Sequence, residues 1–316
     1  GSEDPWDRAR GRPFRREPHE GMTRCWNIAK AWTSQATRPF DLRVEKVKMR
    51  VKGGHVLLVR PKSEEEVLDL YVERGKLEGD PYWACPWPSA AALAESMALA
   101  NEKKEEWWGN NAKVADLGAG LGLAGLAAAR EGASQVTLLD REPMALHCAM
   151  IAADLNGLPT DEETMGLRWR EDFNYRMEWT NKEKVRQEGP TPSGGVVSAK
   201  VFDWSDPIPE ELLSAFDAVL ACDVLYDKDA ASYVGAVVPR LLKESGLLVL
   251  ADPPMRTPKH RKECVRLLHD NAQKDGVCFN LEQVCHHGVL FDKREVQVQI
   301  MHFRKSMHST VGVKLT

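Results

Sequence analysis

Gly118, Gly120, Gly122 and Gly125 follow Asp116 in the stretch Asp116-Leu-Gly-Ala-Gly-Leu-Gly-Leu-Ala-Gly125. Glycines so spaced let the backbone approach a ligand closely, and the N–H groups at a helix start attract negative charge. Lys113 to Leu117 before them reads as a strand, and Leu123 to Arg130 after them as an Ala/Leu-rich helix. Strand, glycine turn and helix together point to a nucleotide-type ligand. A tight turn needing only small residues would leave the same pattern. Gly120 to Gly125 also fits G-x-G-x-x-G, and Asp140 lies about twenty residues on, where a carboxylate can hydrogen-bond a ribose. Asp116 discriminates between ligands. A diphosphate would be repelled by a carboxylate so close to the turn, whereas an ammonium group would be attracted. S-adenosylmethionine has that ammonium group, a ribose and no phosphate, and it is the expected cofactor.

Phe202-Asp203-Trp204 precedes Ser205-Asp-Pro-Ile-Pro, which reads as the loop after a third strand. A ring there can stack on a purine and a carboxylate can accept from its exocyclic amine; Trp204 could also simply pack the sheet end. Asp223-x-x-Tyr226 follows the apolar run Phe216 to Ala221. Ligands of open α/β sheets bind outside the carboxyl ends of the strands, so this tetrapeptide is expected to face the same crevice. The competing reading is a helix N-cap by Asp223 or Asp227, with Tyr226 as packing.

These side chains need a sheet to hold them. Gln135 to Leu139, Phe216 to Ala221 and Gly246 to Leu250 read as further strands; Pro143 to Leu155 and Tyr233 to Leu242 read as helices. Short apolar strands alternating with helices predict an α/β fold with a mostly parallel, Rossmann-like sheet covered on both faces. Glu295 to Phe303 alternates like an antiparallel last strand. Upstream, Arg43 to Arg60 reads as a β-hairpin extension turning at Gly53-Gly54, Pro81 to Pro88 as an aromatic turn, and Ser89 to Ala100 as a helix capped by Ser89. The expected organisation is an N-terminal arm over 1–42, partly flexible with a short helix around Cys25 to Trp32, one domain over 43–305, and a tail over 306–316. Residues 160–200, polar and containing Pro190-Thr-Pro-Ser-Gly-Gly195, read as an insertion with some local structure.

Asp116 to Ala124, Asp140, Phe202-Asp-Trp204 and Ala221-Cys-Asp-Val-Leu-Tyr226 together resemble the seven-strand, family 16 group of S-adenosylmethionine-dependent protein-lysine methyltransferases. The similarity runs over roughly Arg43 to Lys305. Tyr82-Trp-Ala-Cys-Pro-Trp87-Pro is similar to that group's segment before its first core strand, whose Trp approaches the cofactor. Asp223 to Asp229 and Ala251-Asp-Pro-Pro254 resemble the members acting on the electron transfer flavoprotein beta subunit, the glycine loop cytosolic members; the insertion after Leu158 departs from both. The resemblance implies a seven-stranded class I sheet and methyl transfer to a lysine of a protein partner. It implies Asp223 and Tyr226 at the acceptor amine, Asp140 at the ribose, Asp203 and Trp204 at the adenine, and Trp87 and Cys222 in the cofactor wall. A lysine is protonated near neutral pH, with a pKa of about 10.4, and only the free amine attacks. Pairing with Asp223 would raise that pKa while burial beside a sulfonium would lower it, so Asp223 is expected mainly to position the nitrogen.

Composition narrows the alternatives. Lys and Arg number 43 against 47 Asp and Glu, a net charge of −4, so no global charge draws the chain to nucleic acid or anionic membrane, and neither partner is expected. No apolar run reaches the roughly 18 residues of a spanning helix. The seven cysteines are scattered without a CxxC pair, as reduced thiols of an intracellular protein are. Cys285-His286-His287 has no partner cluster at ligand spacing and reads as ordinary loop or strand, so no metal is expected. Gly1-Ser2 reads as a cloning remnant, and the first forty residues lack an apolar h-region. A monomer in the cytoplasm is expected, with mitochondrion or plastid left open by a removed transit peptide. Asp252-Pro-Pro-Met255 is similar to the D-P-P-aromatic motif of base-modifying enzymes, but Met255 offers no ring to a flipped base and the motif lies one strand too late. Arg256, Lys259, His260, Arg261 and Lys262 read as a solvated helix start or as a contact for an acidic partner. Of the ten tryptophans, only Trp87 and Trp204 gain a role. Two rival functions stand: a small-molecule N-methyltransferase with an enclosed acceptor pocket, and a catalytically silent cofactor-binding interaction protein.

Overall fold

Ala218-Val219-Leu220-Ala221 is buried at every position, which only the middle of a sheet covered on both faces allows. The computed structural model describes residues 40–307 except 51–53, 74–78, 106, 110, 162–174, 180–193, 227, 275 and 292. Residues 1–39 of the expected arm, with the helix around Cys25 to Trp32, most of the insertion, Asp227 and most of the tail lie outside the described residues, while Phe40 to Leu42 belong to a strand and not to the arm.

The main sheet has seven strands in the order β6-β4-β3-β7-β8-β10-β9. Its parallel part comprises β3 (Lys113–Leu117), β4 (Gln135–Asp140), β6 (Val196–Val201), β7 (Phe216–Cys222) and β8 (Leu242–Asp252). The antiparallel end is β10 (Arg294–Met307), inserted between β8 and β9 (Val277–Phe291). This is the expected seven-stranded α/β sheet. The chain leaves β3 first to one side, through β4 and β6, then to the other, through β7 and β8. The crevice at that reversal, beyond the carboxyl ends of β3 and β7, is where a doubly wound sheet takes its ligand.

Helices α2 (Pro88–Glu102), α3 (Leu123–Arg130) and α4 (Pro143–Leu155) share one apolar core, while α5 (Lys228–Leu241) and α6 (Pro258–Lys274) pack on the other face. A hairpin of β1 (Phe40–Lys48) and β2 (His55–Pro61) pairs antiparallel as expected, and β2 lies on α4. Its sheet gains a third strand, β5 (Tyr175–Trp179), parallel to β1. The insertion therefore supplies an element of local structure, and it is shorter than expected because Val196 to Lys200 belongs to β6.

The structure corrects several expectations. Ser89 is not a cap: α2 begins at Pro88 with Trp87 at the cap position, making no side-chain capping bond. Ser89 N–H is instead satisfied by Asp223, 134 residues away. Helix α5 starts at Lys228 and ends at Leu241, because Leu242 already pairs with Phe216. Helix α1 (Glu64–Glu73), most of α6 and strand β9 were not anticipated. Strand β9 is exposed at Glu282, Val284 and His286, so it lacks the apolar run that marks a buried strand.

Leu138 on β4 sets how closely α3 approaches the sheet. A Cβ on Gly125 would overlap its side chain, and one on Gly122 would meet it at 3.2 Å. Leu138→Ala should therefore cost about 2–5 kcal/mol in urea unfolding, as buried Leu-to-Ala changes do; a loss under about 1 kcal/mol would show that the loop does not rest on this residue.

Candidate active site

The glycine turn is closed on itself. Gly118 and Ala119 both donate to Leu139 O, at 2.8 and 3.1 Å, Gly122 donates to Ala119 O, and Gly120 donates to Asp140 Oδ2 at 2.8 Å. Gly118, Gly120 and Gly122 all have positive φ, which a side chain would strain. Their surroundings differ. Gly118 lies under the Trp204 ring and Gly120 faces Trp83 O, 3.9 Å from where a Cβ would stand, while Gly122 packs against Ala149 outside the cleft lining. Asp116 Oδ2 accepts from Gly125 N–H at 2.8 Å in the first turn of α3. Burial pushes its carboxyl up to about 7, against the pull of that N–H.

Asp140 ends β4. Its Oδ1 accepts from Glu142 N–H and its Oδ2 from Gly120 N–H, and each oxygen keeps a second lone pair. Burial raises its pKa while these backbone bonds and Arg141 lower it. Arg141 lies in the field of Tyr226, Asp80, Asp203 and Asp140, and its Nη2 is 3.4 Å from Asp80 Oδ2. Asp203 forms an Asx turn, its Oδ1 accepting from Ser205 N–H and hydroxyl at 2.9 and 2.7 Å. The Trp204 ring leans on Gly118 with its centroid 6.5 Å from that of Tyr226.

The aromatic turn before α2 is pinned from below. Tyr71 donates to Glu142 Oε2 at 2.8 Å and accepts from Trp83 Nε1 at 2.8 Å. Asp80 caps the short 3₁₀ turn Pro81–Ala84 through Tyr82 N–H. Trp87 donates to Tyr82 O, and the two rings meet edge-to-face with centroids 6.1 Å apart.

Asp223 follows β7 in the left-handed region, φ 55°, held there by its N–H donating to Ala251 O. Its buried carboxylate accepts from Ser89 N–H at 2.8 Å and lies 2.7 Å from Arg256 Nη2. Burial raises its pKa, with Arg256 the largest opposing influence. Arg256 also lies 3.4 Å from Asp252 Oδ1 and sits over the Trp87 ring, 5.3 Å from its centroid. Asp252, pushed up to about 6 by burial, accepts from Thr257 Oγ1 and Arg261 Nη1. The basic run is thus divided. Lys259 and Lys262 are exposed, whereas Arg256 and Arg261 neutralise buried acids, which corrects the solvated-helix reading for those two. Tyr226 stands at the cleft mouth, 46 % exposed.

Trp87, Asp116, Gly118, Gly120, Asp140, Asp203, Trp204, Cys222, Asp223 and Tyr226 all line one open cleft of about 2780 Å³. Burial raises the Cys222 thiol well above its ordinary value, which keeps it protonated and unreactive. Sequence reasoning passed over Arg141, Glu142 and Tyr71, and read Arg256 only as part of a basic run. The two arginines had a visible signal, one directly after a strand-end aspartate and one four residues after another. Tyr71 and Glu142 had none, because their bond joins α1 to the start of α4, 71 positions away. Cys285-His286-His287 lies on β9, and His287 Nε2 is 3.1 Å from Glu95 Oε1. Among the described residues no group of three or more His, Cys, Asp or Glu could hold a metal ion.

Residues 83–187 match the profile of a family described as lysine methyltransferase. That stretch runs from the aromatic turn through β3, β4 and the glycine turn between them, about a third of the chain. The electron transfer flavoprotein beta subunit lysine methyltransferase of Xenopus laevis is 37% identical over 94 residues, 29% of this chain and 36% of that protein. Ribosomal protein L11 methyltransferase of Deinococcus radiodurans is 30% identical over 144 residues, 43% of this chain and 49% of that protein. The chain thus spans about a third to a half of the length of these methyltransferases. A solved structure of M. jannaschii TYW2 in complex with AdoMet aligns at 14% identity and TM-score 0.43, over 80% of this chain and 83% of that one.

The lining fits an S-adenosylmethionine-type cofactor better than a dinucleotide. A diphosphate needs free N–H donors at the turn, yet those of Gly118, Ala119, Gly120 and Gly122 are spent internally, and the Asp116 carboxylate takes the Gly125 N–H in the first turn of the helix. Asp116 also makes stability depend on pH. Its carboxyl ionises near 3.8 when unperturbed but near 7 when folded, so between these values the folded chain holds a proton that the unfolded chain releases. This contribution to stability falls as pH rises from about 4 to about 7. Asp116→Asn keeps an acceptor for Gly125 and removes the titration. Urea unfolding should show the variant gaining on wild type across that window and levelling off above it; parallel pH profiles would refute the burial argument.

Proposed function

We propose that this chain transfers methyl groups from S-adenosylmethionine to the side-chain amine of a lysine in a protein. The observation that carries the cofactor half is the pair of strand-end carboxylates Asp116 and Asp140 beside a turn whose Gly118, Ala119, Gly120 and Gly122 N–H groups are already bonded, which suits a cationic, phosphate-free ligand. When bound, S-adenosylmethionine supplies an electrophilic methyl group on a sulfonium sulfur. In this reading Asp140 accepts from the ribose hydroxyls on its remaining lone pairs, Asp203 and Trp204 flank the adenine, and Gly118 and Gly120 allow close backbone approach. Gly122 acts at one remove, by setting where α3 begins.

Tyr226 is the acceptor-side group within reach of solvent, and Asp223 lies behind it as a fixed carboxylate. The phenol orients the incoming nitrogen, and Asp223 holds the wall by tying α2 to Arg256. The width of the cleft and the exposure of Tyr226 favour a macromolecular acceptor over a metabolite, which would call for an enclosed pocket. The lysine methyltransferase profile over 83–187 favours lysine as the residue modified.

The test is incubation of the chain and radiolabelled cofactor with a cell extract, followed by hydrolysis of the labelled protein. Label should appear in a protein band as methyl-lysine, vanish with Asp223→Ala, and fall by about a hundredfold with Tyr226→Phe, the scale of a misplaced reacting group. Label confined to small molecules would transfer the reading to a metabolite, and methylhistidine would move it to another residue. Tight cofactor binding with no transfer would leave the silent binding protein.

A further inference from the structure

The buried Asp223 and Asp252 and the partly exposed Arg256 and Arg261 form a charge-balanced cluster. Arg256 Nη2 lies 2.7 Å from Asp223 Oδ1 and 3.4 Å from Asp252 Oδ1, while Arg261 Nη1 lies 3.0 Å from Asp252 Oδ2. The other Asp223 oxygen accepts from Ser89 N–H at 2.8 Å. The Trp87 ring covers one face of the Arg256 guanidinium. Cys222 and Asp116, from the ends of β7 and β3, complete the titratable surroundings, the thiol feeling the Asp116, Asp223 and Asp252 charges. One Asp223 oxygen is therefore hydrogen-bonded and the other ion-paired with Arg256, with no hydrogen bond of its own, before any acceptor arrives.

We propose that Arg256 is a positioning residue for the transfer, which by neutralising Asp223 prevents the acceptor nitrogen from being captured as an ammonium ion. The inference rests on the amine-acceptor reading above. In the transfer the nitrogen lone pair forms the new N–C bond as the C–S bond breaks, so the amine must first release its proton, here to the solvent in the open cleft. A carboxylate without Arg256 would pair with the protonated amine and hold that proton. Arginine cannot be deprotonated in a protein, so its charge persists at every working pH and raises the cost of a second cation beside it. Arg256 thereby converts a carboxylate that would stabilise the unreactive form into part of a neutral wall.

The test compares initial rates of label incorporation into protein against pH for wild type, Arg256→Gln and Arg256→Lys, with cofactor affinity measured by calorimetry. An uncompensated carboxylate within about 4–6 Å should move the acid limb of the Arg256→Gln profile up by about one pH unit or more. Its rate should fall about tenfold at pH 7 and converge on wild type at high pH. Arg256→Lys should keep the wild-type limb, and cofactor affinity should stay within about twofold for both variants. A pH-independent loss in Arg256→Gln, an equal shift in Arg256→Lys, or a collapse of cofactor affinity would overturn the proposal. If Arg256→Gln does not fold, the position of the Arg256→Lys limb still decides it. Wild type that labels no protein sinks the amine-acceptor reading itself, whereas an active wild type with an unshifted Arg256→Gln profile sinks this inference alone.

Discussion

A carboxylate buried at the end of a strand must be satisfied or it will not remain there as an anion, and this constraint organises the site. Asp116, Asp140, Asp223 and Asp252 stand at or beside the carboxyl ends of β3, β4, β7 and β8, and all four are buried. Burial pushes each of them up. Each is answered differently. Asp116 takes the first-turn N–H of α3, and Asp140 takes two N–H groups of the loops flanking it. Asp223 takes the first turn of α2 and Arg256, and Asp252 takes Thr257 and two arginines. The acids that could address a ligand are thus also the fasteners of the elements around it. Losing a partner would leave an uncompensated buried charge, which costs far more than the pair itself contributes.

The same double duty explains how much was legible from sequence. The parallel core was readable because β3, β4, β7 and β8 are short runs buried on both faces, and α3 and α4 carry the Ala- and Leu-rich pattern of helices pressed against them. The strand-end acids were readable too, since Asp116, Asp140 and Asp223 sit where the apolar runs stop. What each acid holds was not readable. The Ser89–Asp223 bond spans 134 positions, and no local pattern announces that a helix will be capped by a side chain from another strand. Ser89 looked like its own cap because serine usually is one; here Pro88 takes the first helical position and Trp87 precedes it. Strand β9 was missed because its partner β10 protects only one of its edges and much of it faces solvent.

The N-terminal hairpin layer is bolted to this core by side chains acting in place of backbone. Asn156, just past α4, accepts from Leu57 N–H at 3.0 Å and donates to Leu57 O at 2.7 Å, pairing with β2 as a neighbouring strand would. At the other end Arg50 pairs with Glu95, and both meet His287 on β9. Tyr71 and Trp83 join α1 and the aromatic turn to Glu142 at the start of α4. The hairpin therefore forms a fixed wall opposite the glycine loop. Arg43, Glu45 and Arg60 lie on that wall within the cleft, with Arg60 Nε 2.7 Å from Glu45 Oε2. A cleft walled by two anchored layers keeps its width without a ligand.

Backbone geometry at Asp223 follows from these attachments. A left-handed, non-glycine residue costs roughly 1–2 kcal/mol, and aspartate is among the few side chains that tolerate it. Here the conformation is fixed from both directions: the N–H is taken by Ala251 O on β8, and the carboxylate is taken by α2 and Arg256. The chain therefore turns sharply at the end of β7 and carries Val224 and Leu225 into the core, leaving Tyr226 at the surface. Val224 closes under Gly118, 3.1 Å from where a Cβ would stand, so the turn that presents Tyr226 also supports the glycine loop. Glycine loop and Tyr226 are thus both tied to the turn at Asp223, and a relaxed backbone there would shift the two together.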